Sequence, residues 1–417
     1  MGKRVMFYCQ HLLGMGHLVR STEIVRALAR DGFSVLFVTG GEVPKDFRMP
    51  QDIETFELIP LKSTPDFSSL LLCDPSWDLM ETKAIRRELL LHEFDKFEPD
   101  ILITELFPFG RKQFSFELLP LLRRARSRSL SPLIVSSVRD ILVNRKDRPE
   151  FEERVCGIVN EFYDLVLVHG DQQFQTLKST FSRTDDLQCP VEYTGYVVQE
   201  SKITGAESDA LMLGQAHKPM IVVSNGSGGS PAGHLLLENV LRTASLLEKQ
   251  IPHRFQVFAG PLMPDHAYES LQKIASQAGN VTLTRYTPNL PGFMRRAELS
   301  ISMAGYNTVM DILSAGVRSL VYPVTGNGDD EQRMRAEKLA AMGVMGLLEE
   351  NQLHPGALAR RIQQALCSRP PRFPFNCAGA ANSSLLLSKY LAMREQCSAP
   401  DLAIPELSAV SAAGAVS

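Results

Sequence analysis

The sequence predicts an α/β protein built from two Rossmann-like domains, and three observations carry that prediction. Short β-rich runs alternate with helically spaced stretches through the first half. A polar, small-residue-rich segment without periodicity, 201–218, then interrupts the pattern. The alternation restarts after it and continues to about residue 365. Strand, turn, helix, strand is the signature of a parallel, doubly wound sheet. A chain of 417 residues accommodates two such domains. The expected division is an N-terminal domain over 1–205 and a C-terminal domain over 215–380. A helix over 381–397 and a flexible Ala-, Ser- and Pro-rich tail over 398–417 follow.

The elements follow in order. Val5–Cys9 is a β-rich run, and His17 to Arg30 has helical spacing with Leu18, Val25 and Leu28 on one face and Gly32 as a stop. Ser34–Thr39, Ile101–Thr104, Leu133–Ser137, Leu165–His169 and Tyr193–Val198 read as further strands of the first half. In the second half the expected strands are Met220–Val223, Phe255–Phe258, Val281–Thr284, Leu299–Ser302, Ser319–Tyr322 and Val344–Leu348. Asn307–Ser314 and Glu331–Ala341 are helical, and Ala381 to Met393 has the apolar spacing of a last helix.

Composition excludes several classes. With 44 basic and 47 acidic residues the formal net charge is −3, which gives no pull toward nucleic acid. The seven cysteines are scattered and form no CxxC pair, so neither a zinc site nor a disulfide framework is indicated. No run of about 18 apolar residues occurs, so no membrane-spanning helix is expected and a cytoplasmic location fits best. The segment Arg111 to Arg128 mixes six basic residues with Phe and Leu, so it reads as a solvated basic helix packed on its domain. The alternative is peripheral contact with an anionic membrane surface.

Three turns carry chemistry. Gly14-Met15-Gly16-His17 follows the first strand, so His17 falls at a helix N-terminus on the sheet edge where open α/β sheets bind ligands. An imidazole there can deprotonate a hydroxyl, and Arg20 lies one turn on. The second turn, Ser224-Asn225-Gly226-Ser227-Gly228-Gly229-Ser230, offers backbone amides to a diphosphate but lacks the lysine of an ATP-binding P-loop. The third runs through Gly305, Tyr306, Asn307 and Thr308 into a helix, with Asp311 one turn further as a candidate ribose acceptor. Glu331 and Gln332 follow the next strand, where a sugar would lie.

This third region resembles the donor-binding region of the GT-B glycosyltransferases related to the lipid II-forming peptidoglycan N-acetylglucosaminyltransferase. In that group a Gly-rich turn, a ribose-binding acid and a Gln-containing motif recur in this order. Asp311 stands where the family more often has Glu, Gln332 stands at the sugar-contacting Gln, and Gly14 to His17 resembles the family's N-terminal loop. Thr104 to Arg111 resembles a bacterial branch of predicted glycosyltransferases. The resemblance implies two domains facing across a cleft and an inverting, metal-independent transfer from a nucleotide-diphosphate sugar, UDP-sugar favoured, with no cofactor. It leaves the acceptor unknown, whether small molecule, glycan or lipid-linked. His17 is the expected base and Glu105 the second candidate. Gly16, Arg20, the 224–228 turn, the 305–308 turn, Asp311, Glu331 and Gln332 are the expected donor contacts. The same GxGHxxR pattern also resembles a nucleotide-sugar hydrolase. A nucleotide-sugar 2-epimerase and a non-catalytic nucleotide-sugar-binding protein share the architecture.

Overall fold

The computed structural model describes residues 2–12, 15–43, 47, 49–51, 53–64, 69–142, 147–199, 218–324, 331–371 and 375–398. The expected linker at 201–218 and tail at 398–417 fall almost wholly outside these residues, as does Gly14.

The first unit contains β1 (Arg4–Cys9), β2 (Ser34–Thr39), β3 (Glu54–Glu57), a small antiparallel hairpin of β4 (Leu61–Ser63) and β5 (Leu70–Leu72), β6 (Ile101–Glu105), β7 (Leu133–Arg139), β8 (Leu165–His169) and β9 (Val191–Tyr193). All but the hairpin join one parallel sheet in the order β3-β2-β1-β6-β7-β8-β9. The helices α1 (Gly16–Arg30), α2 (Leu79–Phe97), α3 (Ser115–Arg126) and α4 (Arg148–Phe162) cover it. The strands are buried on both faces, which is why they read as near-continuous apolar runs.

Helix α2 was not predicted as an element. Its buried residues Thr82, Arg86, Leu90, Glu93 and Phe94 are half polar, so apolar spacing does not reveal it. Asp78 caps its first turn by accepting from Glu81 N at 2.8 Å. Inside, Arg86 donates to both carboxylate oxygens of Glu117 on α3, and Tyr8 on β1 donates to the same group.

The second unit holds β10 (Met220–Ser224), β11 (Arg254–Phe258), β12 (Val281–Thr284), β13 (Leu299–Met303), β14 (Arg318–Tyr322) and β15 (Gly346–Leu347). They form a parallel sheet ordered β12-β11-β10-β13-β14-β15. Its helices are α5 (Pro231–Leu247), α6 (Asp265–Ala275), α7 (Leu290–Arg296), α8 (Tyr306–Ala315), α9 (Glu331–Ala341) and α10 (Pro355–Cys367).

Two predicted strands come out shorter than expected. The chain leaves β9 at Tyr193, turns at Gly195 with φ +84°, and pairs Val197 with Ala378 in an isolated bridge instead of extending the sheet. The strand expected over 344–348 shrinks to β15.

The last helix, α11 (Gly379–Ser398), returns to the first unit. Leu387 and Leu391 join the core formed by Val5, Phe7, Val25 and Leu28. Asn382 Nδ2 donates to Thr194 O at 2.7 Å, Tyr390 OH to Glu192 at 2.7 Å, and Arg394 to Pro132 O at 2.9 Å. Gly379 opens the helix because a Cβ there would lie 2.5 Å from Gly195 O. The N-terminal core is therefore completed by the C-terminal end of the chain. Leu387→Ala should lower the stability of the first unit by about 2–5 kcal/mol, the usual cost of a buried Leu-to-Ala cavity. Chemical denaturation followed by fluorescence of the single tryptophan, Trp77, which lies in that unit, would read this. An unchanged midpoint would remove α11 from the N-terminal core.

Candidate active site

In the first sheet the strand order reverses between β1 and β6, the position at which an open α/β sheet leaves a crevice beyond its strand ends. His17, in the first turn of α1, and Glu105, the last residue of β6, meet there. His17 Nδ1 lies 3.0 Å from Glu105 Oε1. The chain leaves β6 through Leu106 at φ +65°, a left-handed conformation costly for a branched side chain. Leu106 N donates to Ser137 O at 2.7 Å and anchors that turn.

Glu105 is buried and is also ion-paired to Arg20. Burial alone would raise its carboxyl, but the Arg20 guanidinium and the His17 hydrogen bond hold it well below the ordinary carboxylate range. An ionised carboxylate only accepts, so His17 carries its proton on Nδ1 and leaves the Nε2 lone pair free. Burial, then the nearby Arg111 and Arg20 guanidinium groups, push His17 down to about 3, so the ring is neutral near pH 7. The His17 side chain is 15% exposed, whereas Glu105 is sealed behind it. The geometry gives Glu105 the position of an orienting group.

Ser137 and His169, not singled out in the sequence, sit behind Glu105. Ser137 Oγ donates to Glu105 Oε2 at 2.5 Å and lies 2.9 Å from His169 Nε2. Both come from ends of expected strands, and that position was the one signal available in the sequence.

The second unit presses onto this group. Tyr306 OH donates to His169 O at 2.9 Å, and Asn307 Nδ2 donates to Gly16 O at 3.1 Å. The Tyr306 ring lies between two cations, with Arg20 at 5.1 Å and Arg335 at 5.0 Å from its centroid. Arg335 pairs with Asp140 at 2.9 Å and Glu331 at 2.8 Å, and Glu331 pairs with Arg139. Arg111, in the left-handed region at φ +58°, has a buried Nε without a partner, and its guanidinium forms no ion pair among the described residues. Burial lowers it to about 10. Among the described residues, the cluster holds four guanidinium groups, of Arg20, Arg111, Arg139 and Arg335, against the three carboxylates of Glu105, Asp140 and Glu331.

The other predicted donor residues divide in two. Ser224 and Ser302 are register partners on adjacent strands, so the second and third turns emerge side by side. Gly226 lies against Thr308, whose Oγ1 would be 3.8 Å from an added Cβ. The 224–230 turn was expected to present its amides. Several are instead satisfied within the protein: Asn225 N donates to Phe258 O, Gly226 N to Ser224 Oγ and Gly228 N to Asn225 O. The buried Asn225 amide group, by contrast, has no partner among the described residues. Helix α8 starts at Gly305 without a side-chain cap, which leaves its first amides open.

Gln332 folds back, its Oε1 accepting from Val324 N at 3.3 Å. Asp311 is buried in a narrow interdomain slot with Glu23, Arg20 and Gln199. Burial raises its carboxyl well above the ordinary range, and Glu23 adds to this against a hydrogen bond from the Gln199 backbone. Among the described residues no group of three or more His, Cys, Asp or Glu side chains is arranged to hold a metal, and no helix is long and apolar enough to cross a membrane. On the basic helix, Arg124, Arg126 and Arg128 pair with Asp95, Asp164 and Glu98 of the same unit.

The buried histidines make stability pH-dependent. Burial lowers both His17 and His169 to about 3 from an ordinary 6.5. Below pH 6.5 the unfolded chain binds protons that the folded chain refuses, so stability is full above 6.5 and falls with acidification. The slope approaches about 1.4 kcal/mol per pH unit for each histidine. The thermal midpoint should therefore drop between pH 7 and 5, and His169→Gln should flatten the slope. A midpoint constant over that range would contradict the assignment.

Residues 220–381 match the glycosyltransferase family 28 C-terminal domain. A UDP-N-acetylglucosamine--N-acetylmuramyl-(pentapeptide) pyrophosphoryl-undecaprenol N-acetylglucosamine transferase of Nitrosococcus oceani is 28% identical over 174 residues, 42% of this chain and 46% of that protein. Its counterpart in Caulobacter vibrioides is 26% identical over 159 residues, 38% of this chain and 43% of that protein. The chain thus aligns with less than half the length of these relatives. Among solved structures, MurG of Acinetobacter baumannii aligns with 94% of this chain and 99% of its own at a TM-score of 0.54 and 16% identity. The calicheamicin glycosyltransferase CalG4 aligns with 95% and 98% at a TM-score of 0.56 and 14% identity. A Listeria monocytogenes protein assigned as a UDP-N-acetylglucosamine 2-epimerase aligns with 95% and 98% at a TM-score of 0.61 and 14% identity. At such identities these structures establish the fold. The chain has the GT-B fold of two Rossmann-like domains, and its residues 220–381 match the glycosyltransferase family 28 C-terminal domain.

Proposed function

We propose that this protein is an inverting glycosyltransferase that moves a sugar from a UDP-sugar to an acceptor hydroxyl without a metal. The observation that carries the reading is the His17–Glu105 pair, which faces a family 28 domain across the cleft with its Nε2 lone pair free. His17 takes the acceptor proton while Glu105 stabilises the imidazolium that forms. The hydroxyl oxygen attacks the anomeric carbon, and the bond to the diphosphate breaks on the opposite side. The open N-terminus of α8 and the unpartnered Asn225 amide at the 224–230 turn support a diphosphate site there. Asp311 is one helical turn further, in reach of a ribose once the slot around it opens.

Arg111 is a buried cation on the acceptor side that forms no ion pair among the described residues. Relatives whose names specify a pyrophosphoryl-undecaprenol acceptor make a phosphate-bearing acceptor the first to try. An anion on Arg111 would cancel one of the two cations that depress His17 and so strengthen the base. A lipid-linked acceptor would place the protein peripherally at the inner membrane face. Arg124 and Arg126 of α3 are engaged within their own unit, which leaves that helix a weak surface for such contact.

Calorimetry with UDP and UDP-N-acetylglucosamine in EDTA, with and without Asp311→Ala, tests the donor site. Asp311→Ala should weaken binding by about 1–3 kcal/mol, the scale of a lost charge-assisted hydrogen bond. His17→Ala should cut turnover about 10²–10⁴-fold with UDP affinity within a few-fold. Free sugar without any acceptor would point instead to a hydrolase and isomerised sugar to an epimerase. Absence of any nucleotide binding would defeat the proposal.

A further inference from the structure

We propose that Ser137 and His169 are positioning residues for the base, forming a buried hydrogen-bond train that fixes Glu105 and, through it, the tautomer of His17. The inference rests on His17 being the base, and goes beyond that reading in assigning roles to residues outside the cleft.

The ionised Glu105 sets the direction of the bonds nearest to it. Glu105 is ionised and can only accept, so Ser137 must spend its single proton on Glu105 Oε2, 2.5 Å away. Ser137 Oγ can then only accept from His169 Nε2, at 2.9 Å. His169 is buried and neutral, so with its proton on Nε2 its Nδ1 is a bare lone pair. Thr194 Oγ1 lies 2.9 Å from that lone pair, and its single proton is also within reach of Gly195 O at 2.8 Å. At the other end His17 Nδ1 donates to Oε1, and Arg20 donates to the same oxygen.

The sheet builds this geometry. Glu105, the last residue of β6, and Ser137, two residues before the end of β7, are register partners, and His169 ends β8 opposite Arg139. Three neighbouring strands thus hold three consecutive links, and none is exposed. Both oxygens of Glu105 are occupied from fixed backbone positions, so the carboxylate cannot rotate away from His17. The second unit touches both ends: Tyr306 donates to the His169 carbonyl, and its ring covers Arg20. A structural filler would need neither the matched polarity nor contact with the His17 partner.

Long-range ¹H–¹⁵N NMR of the full chain with ¹⁵N-labelled histidine rings reads the tautomers directly. In the wild type at pH 7, His17 should be protonated on Nδ1 and His169 on Nε2. In Ser137→Ala both rings should move toward averaged nitrogen shifts. UDP release from UDP-N-acetylglucosamine should fall about 10- to 100-fold, as expected for a misplaced catalytic group. His169→Gln, whose amide can still donate to Ser137, should retain the His17 tautomer, and His169→Leu should lose it. A His17 ring unchanged in a folded Ser137→Ala protein overturns the train. Full turnover in His17→Ala would instead defeat the base assignment, with the tautomer result still standing on its own.

Discussion

The buried ion pair between Arg20 and Glu105 organises everything around it. Removing two charges from water is expensive, and the cost is met only when the partners satisfy one another and their remaining donors and acceptors. Glu105 achieves this with Arg20, His17 and Ser137; Arg20 adds the face of Tyr306 from the opposite unit. The pair therefore does three things at once. It keeps a carboxylate ionised in a dry site, it sets which His17 nitrogen faces the cleft, and it gives the second domain an aromatic surface to close upon.

Closure is written largely in charge. Glu331 and Arg335 on one short helix meet Arg139 and Asp140 at the end of β7, while Tyr306 and Asn307 reach backbone carbonyls of the first unit. Such contacts are directional and can exchange with water, and they sit beside an apolar cluster in which Phe174 and Tyr196 of the first unit pack with Tyr306, Val309 and Leu339 of the second. The same closure shuts Asp311 into a narrow slot beside Glu23, where two acids share little solvent. Parting of the domains would return Asp311 to water and to its ordinary carboxylate behaviour. The ionisation of this residue is thereby linked to domain position.

The chain's path adds a constraint of its own. Helix α11 begins after the second unit and ends against β1 and α1 of the first, with Leu387 buried in that core. The two units are therefore connected twice, once through the segment after residue 199 and once through the approach to α11. Two connections restrict how one sheet turns relative to the other more than a single tether does.

What the sequence determined by itself was periodicity and punctuation. Apolar strands buried on both faces, glycines at strand-to-helix turns and the position of His17 after the first strand are local properties. They made both sheets and the sheet edge where His17 and Glu105 meet legible. Helix α2 escaped because its buried face is polar, with Arg86 and Glu93 where Leu would be expected, and a buried ion pair leaves no apolar pattern. Tertiary structure alone decided the rest. Ser137 and Asp140 lie close together on β7 and just beyond it, but His169 comes from another strand and Arg335 from a helix of the other unit, so no spacing along the chain relates these places. Glu105 stood out as a possible base, but only its burial and its partners cast it as the group that orients one. Hydrogen-bond partners and desolvation are properties of three-dimensional neighbours, and those neighbours exist only once the two sheets have folded and met.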